Sequence, residues 1–335
     1  MTEDIFSKKN CFLEWAHVKS HLLVGNYEDC KKPRVSIIMP CYKRADYFKL
    51  SLQSAINQDY PFEYEIVVVD NNVDGDISPN QKIVEECGAK NVFYYRNAEN
   101  LGMAGNWNRG IELARAEYIT YCHDDDILLP SCLSTLMSIQ GDTKEKCILS
   151  AFNFIDDEGD YLLKKEYPHR KKRMSFMIEK PYYNYTLYDQ FLSSKGFGVG
   201  CLFHRKHMIE LGGYNKEFYP SFDYALQSAY TYYYGCVYNA IPTFNYRLGI
   251  NESNSAWVGF NNADKHFRKC MMSKIHIPNF ILSRISDALY NRNEIGFRSA
   301  WKNEKEDKEI SKRDQFVLKL ATYYAQRIKP YRIKF

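Results

Sequence analysis

The chain has 335 residues, of which 45% are hydrophobic and 26% charged, a composition typical of globular proteins with a buried core. The net charge of +4 is too small to indicate a nucleic-acid partner, and no apolar run is long enough to cross a bilayer. Its ten cysteines include no CxxC pair, which disfavours a zinc site or a disulfide framework. The N-terminus lacks the basic-then-apolar order of a signal peptide, so we expect a cytoplasmic protein.

The first half of the chain predicts strands that alternate with helices. We expect residues 1–33 to form an N-terminal helical extension. Short β-branched or aromatic runs then predict four parallel strands, which are VSIIM (35–39), YEIVVVD (64–70), NVFYY (91–95) and YITYC (118–122). Apolar residues at helical spacing predict helices before the second and fourth of these strands. The stripes are Phe48, Leu52, Ala55 and Ile56 in one helix, and Trp107, Ile111 and Ala114 in the other.

Polar residues follow each of the four predicted strands. The strands end in PCYKR, DNN, RNAENLG and HDDD, respectively. Each stretch alone is explained by an ordinary turn, but ligands of open parallel sheets bind beyond the carboxyl ends of the strands. Together, the four polar stretches predict a ligand-binding site along this edge of the sheet, which we call the binding edge. The turn after the first strand contains no glycine, which disfavours a dinucleotide-binding fold with a GxGxxG motif.

Three adjacent carboxylates, Asp124, Asp125 and Asp126, follow the fourth strand. Neighbouring like charges raise one another's pKa values and weaken the fold unless a positive charge is shared among them. A divalent cation is the first explanation. The alternative is a helix N-terminus enriched in acidic residues.

The order of these motifs resembles the GT-A fold glycosyltransferases of family 2, which are inverting enzymes that use nucleotide-activated sugars. The motifs are MPCYKR, VVVDNN, NLGMAGNWNRGIELA and YITYCHDDDILLP within residues 34–140, followed by GCLFHRKHMIELGGYN, SFDYALQSAY and IPTFNYRLGINESNS. The resemblance implies an α/β fold with a mostly parallel central sheet flanked by helices. It implies a catalytic domain over 34–255, with a nucleotide-sugar half (34–140) and an acceptor half (141–255). A basic and aromatic C-terminal helical segment, 256–335, follows.

The resemblance also implies roles for residues of the nucleotide-sugar half. Asp70 corresponds to a residue that hydrogen-bonds a pyrimidine base, and the turn with Pro40, Tyr42 and Arg44 would flank the base and ribose. The loop over residues 100–108 would pass beneath the nucleotide, where Gly102 and Gly105 allow a close approach of the backbone. The residues of this loop that we expect at the nucleotide are Asn100, Gly102, Asn106 and Asn108.

Alignment of the acidic motif on ILLP places His123 where the family commonly has an aspartate. The resemblance then implies that Asp124 contacts the ribose or a bridging water and that Asp125 binds Mn²⁺ or Mg²⁺. Asp126 would brace the loop or help the acceptor site. Asp124 and Asp126 are further candidate metal ligands, because hard divalent ions prefer carboxylate oxygen.

An inverting transfer needs a base that takes the proton of the acceptor hydroxyl. The resemblance implies Asp223, in LGGYNKEFYPSFDYAL, although Phe222 replaces the usual glutamate beside it; Glu217 is the second candidate. The closing loop contains Tyr246 and Arg247. Gly249 stands where many relatives have a metal-binding histidine, so a third protein ligand is left open.

Two basic segments bear on partners. KKEYPHRKKR (164–173) is either a solvated loop or a contact for phosphate groups. Residues 312–335 form a predicted basic, aromatic amphipathic helix, which either packs on the domain or lies on an anionic membrane. We expect transfer from a UDP- or dTDP-sugar to a glycan acceptor, including a polyprenyl-diphosphate-linked one at the cytoplasmic face of the inner membrane, in surface polysaccharide assembly. A sugar nucleotidyltransferase and a non-catalytic nucleotide-sugar binder are the alternatives.

Overall fold

Four parallel strands form the centre of the larger sheet in the computed structural model, which describes residues 3–144, 146–162, 182–193, 198–248, 256–301 and 309–328. They are β2 (Val35–Cys41), β3 (Tyr64–Asp70), β4 (Val92–Asn97) and β5 (Tyr118–Tyr121), and they confirm the four predicted strands. Nearly all their residues are buried, because helices cover both faces of this sheet.

Two antiparallel strands complete the edges of this sheet. The edge strands are β1 (Ser20–Val24), which pairs with β4, and β9 (Phe203–His204), which pairs with β5. The strand order is β1-β4-β3-β2-β5-β9. The predicted parallel core therefore lies inside a mixed sheet.

The smaller sheet follows the acidic motif. It has β6 (Ile127–Leu128), β7 (Cys147–Ile155), β8 (Tyr182–Tyr185) and β10 (Cys236–Arg247). The long strand β10 pairs in parallel with β7 and antiparallel with β6 and β8. Because β10 ends at Arg247 beside β6, the end of this strand meets the acidic motif.

Helices connect and cover these strands. Helices α1 (Ala45–Ile56) and α3 (Gly102–Leu113) confirm the two predicted helices, although Ala114 of the second stripe lies just beyond the end of α3. The others are α2 (Pro79–Cys87), α4 (Cys132–Thr143), α5 (Leu187–Ser193), α6 (Arg205–Glu210), α7 (Phe222–Tyr233), α8 (Trp257–Met272), α9 (Asn279–Trp301) and α10 (Lys312–Ile328). Along the described ranges, no helix is long and apolar enough to span a membrane.

The prediction of a helical N-terminal extension over residues 1–33 is wrong. From residue 3 onward this segment contains two short 3₁₀ turns and the strand β1. Its position is fixed by a buried side chain of α3: the Arg109 guanidinium donates to the carbonyls of Val18 and Trp15, both at 2.9 Å. Within this segment, residues 20–24 are extended because their backbone pairs with the edge of the sheet at β4.

Helix α3 lies directly on β2, and a glycine makes this approach possible. A Cβ atom at Gly110 would overlap the Ile38 side chain, whereas a Cβ atom at Gly141 in α4 would meet no atom within 4 Å. We expect Gly110→Ala to lower the free energy of unfolding by about 1–3 kcal/mol through overpacking. The matched change Gly141→Ala should raise it by about 0.5–1 kcal/mol. Urea unfolding of both variants measures the difference, and equal effects would contradict the close contact.

Candidate functional site

The turn after β2 and the acidic motif after β5 meet at the carboxyl edge of the sheet. The Tyr42 backbone N–H donates to Asp124 Oδ2 at 3.1 Å. Arg44 Nη1 lies 2.6 Å from Asp125 Oδ2 and 3.9 Å from Asp124 Oδ1. Tyr42 is 44% exposed, whereas Pro40 is buried within β2. The structure therefore places Tyr42 and Arg44, but not the Pro40 side chain, at the predicted edge.

Asp126 is held from the other side by the end of β10. Its Oδ1 accepts the backbone N–H of Arg247 at 3.0 Å, and Arg247 Nε donates to the carbonyl of Asp125 at 3.0 Å. The Arg247 side chain is fully buried and also donates to the carbonyls of Asp156 and Asp157, both at 2.8 Å. Arg247 thus fixes the backbone of the acidic motif, and the Asp126 carboxylate takes part in this connection.

His123 lies against the same carboxylates. Its Nδ1 is 3.7 Å from Asp126 Oδ2, and its ring packs on the indole of Trp107 with 4.8 Å between centroids. Burial lowers the pKa of His123 to about 4, so the imidazole is neutral at neutral pH. Ligand atoms of His123, Asp125 and Asp126 all lie within 4.8 Å of one another.

The carboxyl groups of this motif are costly to ionise together. Burial and the charge of Asp125 raise the pKa of Asp124 to about 7 and hold the pKa of Asp126 well above its ordinary value. One oxygen of Asp126, Oδ2, is buried and accepts no hydrogen bond in the described structure. A shared cation would relieve both effects, and the Arg44 guanidinium supplies part of that charge to Asp125. These residues therefore fit a divalent metal ion.

Asp70 does not face this edge. Its side chain is fully buried, and Oδ2 accepts hydrogen bonds from Ser78 Oγ at 2.6 Å and Tyr94 OH at 2.7 Å. Oδ1 accepts the backbone N–H of Asn72 at 2.7 Å. In this structure the carboxylate stabilises the loop after β3 and is not open to a base N–H, contrary to the expectation from the sequence.

The predicted nucleotide loop over residues 100–108 is mostly helical, because α3 begins at Gly102, and its Asn106 and Asn108 also point inward. Asn106 Nδ2 donates to the carbonyl of Val69 at 3.0 Å, and its Oδ1 accepts Asn97 Nδ2 at 2.9 Å. Asn108 donates to the carbonyl of Tyr214 at 2.8 Å and accepts its N–H at 2.7 Å. Both side chains are buried and join elements of the fold, so neither is placed to contact a nucleotide.

The start of the same loop is exposed. Asn100 Oδ1 accepts the Gly102 N–H at 2.9 Å, and Gly102 has φ +67°, a conformation that favours glycine. Both residues are on the surface and remain candidates for nucleotide contact. Gly105 has another role, because a Cβ atom there would overlap the Trp15 ring.

Asp223 lies at the N-terminus of α7 beside a small pocket. Its Oδ1 accepts the Tyr224 N–H at 2.8 Å. Burial and the nearby charge of Asp264 raise the pKa of Asp223 to about 7, a value suited to a general base at neutral pH. The pocket is lined by Gly198, Phe203, Met208, Tyr214, Asp223, Leu226 and Gln227.

An aromatic side chain connects Asp223 with the acidic motif. The Trp107 ring packs on Phe222 with 5.1 Å between centroids and on His123 with 4.8 Å. Trp107 therefore packs between His123 and Phe222, the residue that stands where the family usually has a glutamate. The sequence predicted Trp107 only as a core residue of α3. Its aromatic size at the end of the stripe nearest the binding edge was the available signal.

Glu217 is exposed on a 3₁₀ turn, with its backbone N–H bonded to Asn215 Oδ1 at 3.0 Å. Asp223 adjoins Phe222, which reaches the acidic motif through Trp107, whereas Glu217 has no such described connection, so Asp223 is the better placed candidate base. The basic run 164–173, Gly249 and residues 329–335 lie outside the described residues.

A comparison with known protein families identifies the family of this chain. Residues 36–212, more than half of the chain, match the model of glycosyl transferase family 2. The chain belongs to glycosyl transferase family 2. This family 2 member matches GalNAc(5)-diNAcBac-PP-undecaprenol beta-1,3-glucosyltransferase of Campylobacter jejuni, with 27% identity over 187 residues and 56% of each chain covered. It also matches an uncharacterised glycosyltransferase of Methanocaldococcus jannaschii, with 30% identity over 148 residues, covering 42% of this chain and 49% of that one.

The family 2 chain spans about half the length of these curated relatives. Its fold is similar to that of S. aureus TarS in complex with UDP-GlcNAc, with a TM-score of 0.58, 15% identity, and coverage of 89% of this chain and 82% of that one. It is also similar to the mannosyltransferase PcManGT of Pyrobaculum calidifontis in complex with GDP-Man and Mn²⁺, with a TM-score of 0.57, 14% identity, and coverage of 94% and 86%. At such low identities these likenesses establish the fold, which confirms the predicted GT-A architecture.

Proposed function

We propose that this chain is an inverting, divalent-metal-dependent glycosyltransferase that moves a sugar from a nucleotide-activated donor to a glycan acceptor. The observation that carries the proposal is the ion pair of Arg44 with Asp125, 2.6 Å apart, at the edge where the acidic motif ends β5. It supports a site for a diphosphate and a cation, because the carboxylates attract the metal and the guanidinium attracts phosphate.

Asp125 holds the metal in this proposal, with Asp124 and Asp126 as further candidate ligands. A bound Mg²⁺ or Mn²⁺ supplies Lewis-acid stabilisation of the diphosphate leaving group. Arg44 would leave Asp125 when the metal binds there and would then be able to pair with the phosphates of the donor. Its side chain is 36% exposed, which leaves room for this movement.

Asp223 acts as the base. The acceptor hydroxyl oxygen forms a bond to the anomeric carbon of the sugar while the bond between that carbon and the phosphate oxygen breaks. The hydroxyl proton passes to the Asp223 carboxylate, and the nucleoside diphosphate leaves. Attack on the face opposite the leaving group inverts the configuration at the anomeric carbon.

UDP- and dTDP-sugars are the first donors to test. Two solved structures of similar fold hold UDP-GlcNAc and GDP-Man, and the buried position of Asp70 leaves base recognition to other groups. The name of one relative specifies a PP-undecaprenol acceptor. We therefore include polyprenyl-diphosphate-linked glycans among the acceptors, as in surface polysaccharide assembly at the cytoplasmic face of the inner membrane.

A donor panel tests the proposal. UDP-, dTDP- and GDP-sugars are incubated with the protein in Mn²⁺, Mg²⁺ or EDTA, and the release of nucleoside diphosphate and the transfer to acceptors are measured. We expect metal-dependent release with one donor class. Binding without turnover would favour the non-catalytic binder, and formation of a nucleotide-sugar from a nucleoside triphosphate and a sugar phosphate would favour the nucleotidyltransferase.

Helix α10 supports a membrane-associated acceptor. One face packs on the domain, where Ala321 and Ala325 are buried, and Asp314 accepts Arg284 Nη2 at 3.2 Å and Asn291 Nδ2 at 3.0 Å. The opposite face exposes Phe316, Leu320 and Tyr323, at 62%, 51% and 50%, respectively. Lys312, Arg313 and Lys319 are exposed on the same helix. The helix thus packs on the domain and still presents an apolar, basic face to solvent. The two alternatives from the sequence, packing on the domain and lying on a membrane, are therefore compatible.

We expect the full chain to bind anionic liposomes at low salt and to lose this binding when Phe316, Leu320 and Tyr323 are changed to serine. Each basic residue near the anionic membrane surface contributes about 1 kcal/mol to membrane binding, and salt screens this attraction. Cosedimentation at low and high salt measures the binding. Leu50→Ser, at a 54% exposed position of α1, is the matched control. A full-length protein that stays in the supernatant at low salt would end the membrane hypothesis.

A further inference from the structure

The acidic motif contains a second type of potential metal ligand besides carboxylate oxygen. His123 offers an imidazole nitrogen, and it lies with carboxylate oxygens of Asp125 and Asp126 in a group whose atoms are all within 4.8 Å of one another. Ligands of one small divalent ion are at most about 4.2 Å apart at metal distances of about 2.1 Å. Small rotations of the two carboxyl groups would therefore bring the three atoms within reach of one ion.

The buried carboxylate of Asp126 indicates that these three residues are suited to bind a cation. Its Oδ1 is bonded to the Arg247 N–H, but Oδ2 accepts no hydrogen bond in the described structure, and the Asp126 side chain is fully buried. An unpaired, buried carboxylate oxygen is costly. His123 Nδ1 lies 3.7 Å away, too far for a hydrogen bond and near enough for one metal ion to join the two atoms.

The His123 ring is held in place by packing. The Trp107 ring lies against it, with 4.8 Å between ring centroids. Trp107 is itself fixed by edge contacts with Tyr214 and Phe222, at centroid distances of 5.0 Å and 5.1 Å. The ring nitrogen that faces the Asp126 carboxylate is Nδ1. An imidazole fixed in this orientation is suited to metal binding, which requires its neutral form.

We propose that His123 is a metal ligand together with Asp125 and Asp126, and that it makes the site selective for Mn²⁺ over Mg²⁺. Imidazole suits first-row transition metals, whereas Mg²⁺ prefers an oxygen-only environment. The inference rests on the proposed metal-dependent function. It goes beyond that function by assigning a nitrogen ligand at the position where the family commonly has an aspartate.

Metal binding without a nucleotide tests this assignment. Mn²⁺ affinity is measured by electron paramagnetic resonance, Mg²⁺ affinity by competition, and nitrogen coordination by the ¹⁴N coupling in pulsed spectra of the bound Mn²⁺. We expect ¹⁴N coupling in the wild type and its loss in His123→Ala, with Mn²⁺ affinity reduced by about tenfold or more. His123→Asp should bind Mg²⁺ more tightly than the wild type does. His17→Ala, at an exposed histidine, is the control and should change nothing.

Unchanged Mn²⁺ affinity in a folded His123→Ala variant, or absence of ¹⁴N coupling in the wild type, would overturn the inference. If alanine prevents folding, His123→Asn retains a similar shape, and the same spectra decide. The proposed function fails separately, because metal binding with the expected coupling but no sugar transfer from any donor would contradict the enzyme and leave the metal site intact.

Discussion

Replacing Asp125 with asparagine should abolish the metal dependence of nucleotide binding. The carboxylate and the donor diphosphate share one ion in our account, so removal of the negative charge removes the link between them. Loss of residues that only support a metal ligand reduces metal affinity by about 10–100-fold, and loss of the ligand itself should cost at least as much. Titration of UDP and dTDP in Mn²⁺ and in EDTA measures the effect.

Asparagine preserves the size of Asp125, which is 7% exposed, so the fold should survive. Asp29→Asn, at an exposed position near β1, is the matched control and should bind nucleotide as the wild type does. The same affinity in Mn²⁺ and EDTA for the wild type, or an undiminished Asp125→Asn variant, would contradict the metal role of this residue.

The change Asp223→Asn should reduce turnover by about 10²-fold to 10⁴-fold while it leaves nucleotide affinity unchanged. A base contacts the acceptor hydroxyl and makes no contact with the donor nucleotide. Turnover of the wild type should rise with pH through about 7, because burial and Asp264 raise the pKa of Asp223 to about that value and only the ionised carboxylate accepts a proton. The variant should lack this limb of the pH profile.

The pH dependence of protein stability provides an independent test of the raised pKa of Asp223. The pKa of Asp223 is higher in the folded chain than in the unfolded one, so its contribution to folding is present at low pH and is lost as the pH rises through about 7. Asp223→Asn should therefore be no less stable than the wild type at pH 8.

Glu217→Gln is the comparison for activity: if it abolishes turnover while Asp223→Asn does not, the base is misassigned.

The sequence predicted the centre of the fold well because buried parallel strands have a distinctive composition. β3 begins and ends at the predicted residues, and β2 extends only two residues beyond its predicted end. β1 was missed because SHLLV is not buried on both faces, with a burial pattern that alternates along the strand. Its pairing partner β4 lies about 70 residues away, and a local pattern carries no signal of so distant a partner.

The sequence correctly predicted that the polar turn after β2 and the acidic motif lie together, because the carboxyl ends of adjacent parallel strands meet at one edge of the sheet. The sequence could not predict in which direction each polar side chain points. Asp70, Asn106 and Asn108 lie close to the edge in sequence but are used inside the fold, where buried backbone groups need hydrogen-bond partners. His123 appeared only as a departure from the family pattern, since its approach to Asp126 depends on the conformation of the loop.

The most direct test of the account is the position of Mn²⁺ in crystals grown with UDP, read from the anomalous scattering of the metal. The account predicts one peak at ligand distance from the Asp125 carboxylate, beside the acidic motif, with the diphosphate on the same ion and Arg44 moved away from Asp125. An Mn²⁺ peak away from Asp125, or a nucleotide bound elsewhere while Arg44 stays on Asp125, would contradict it.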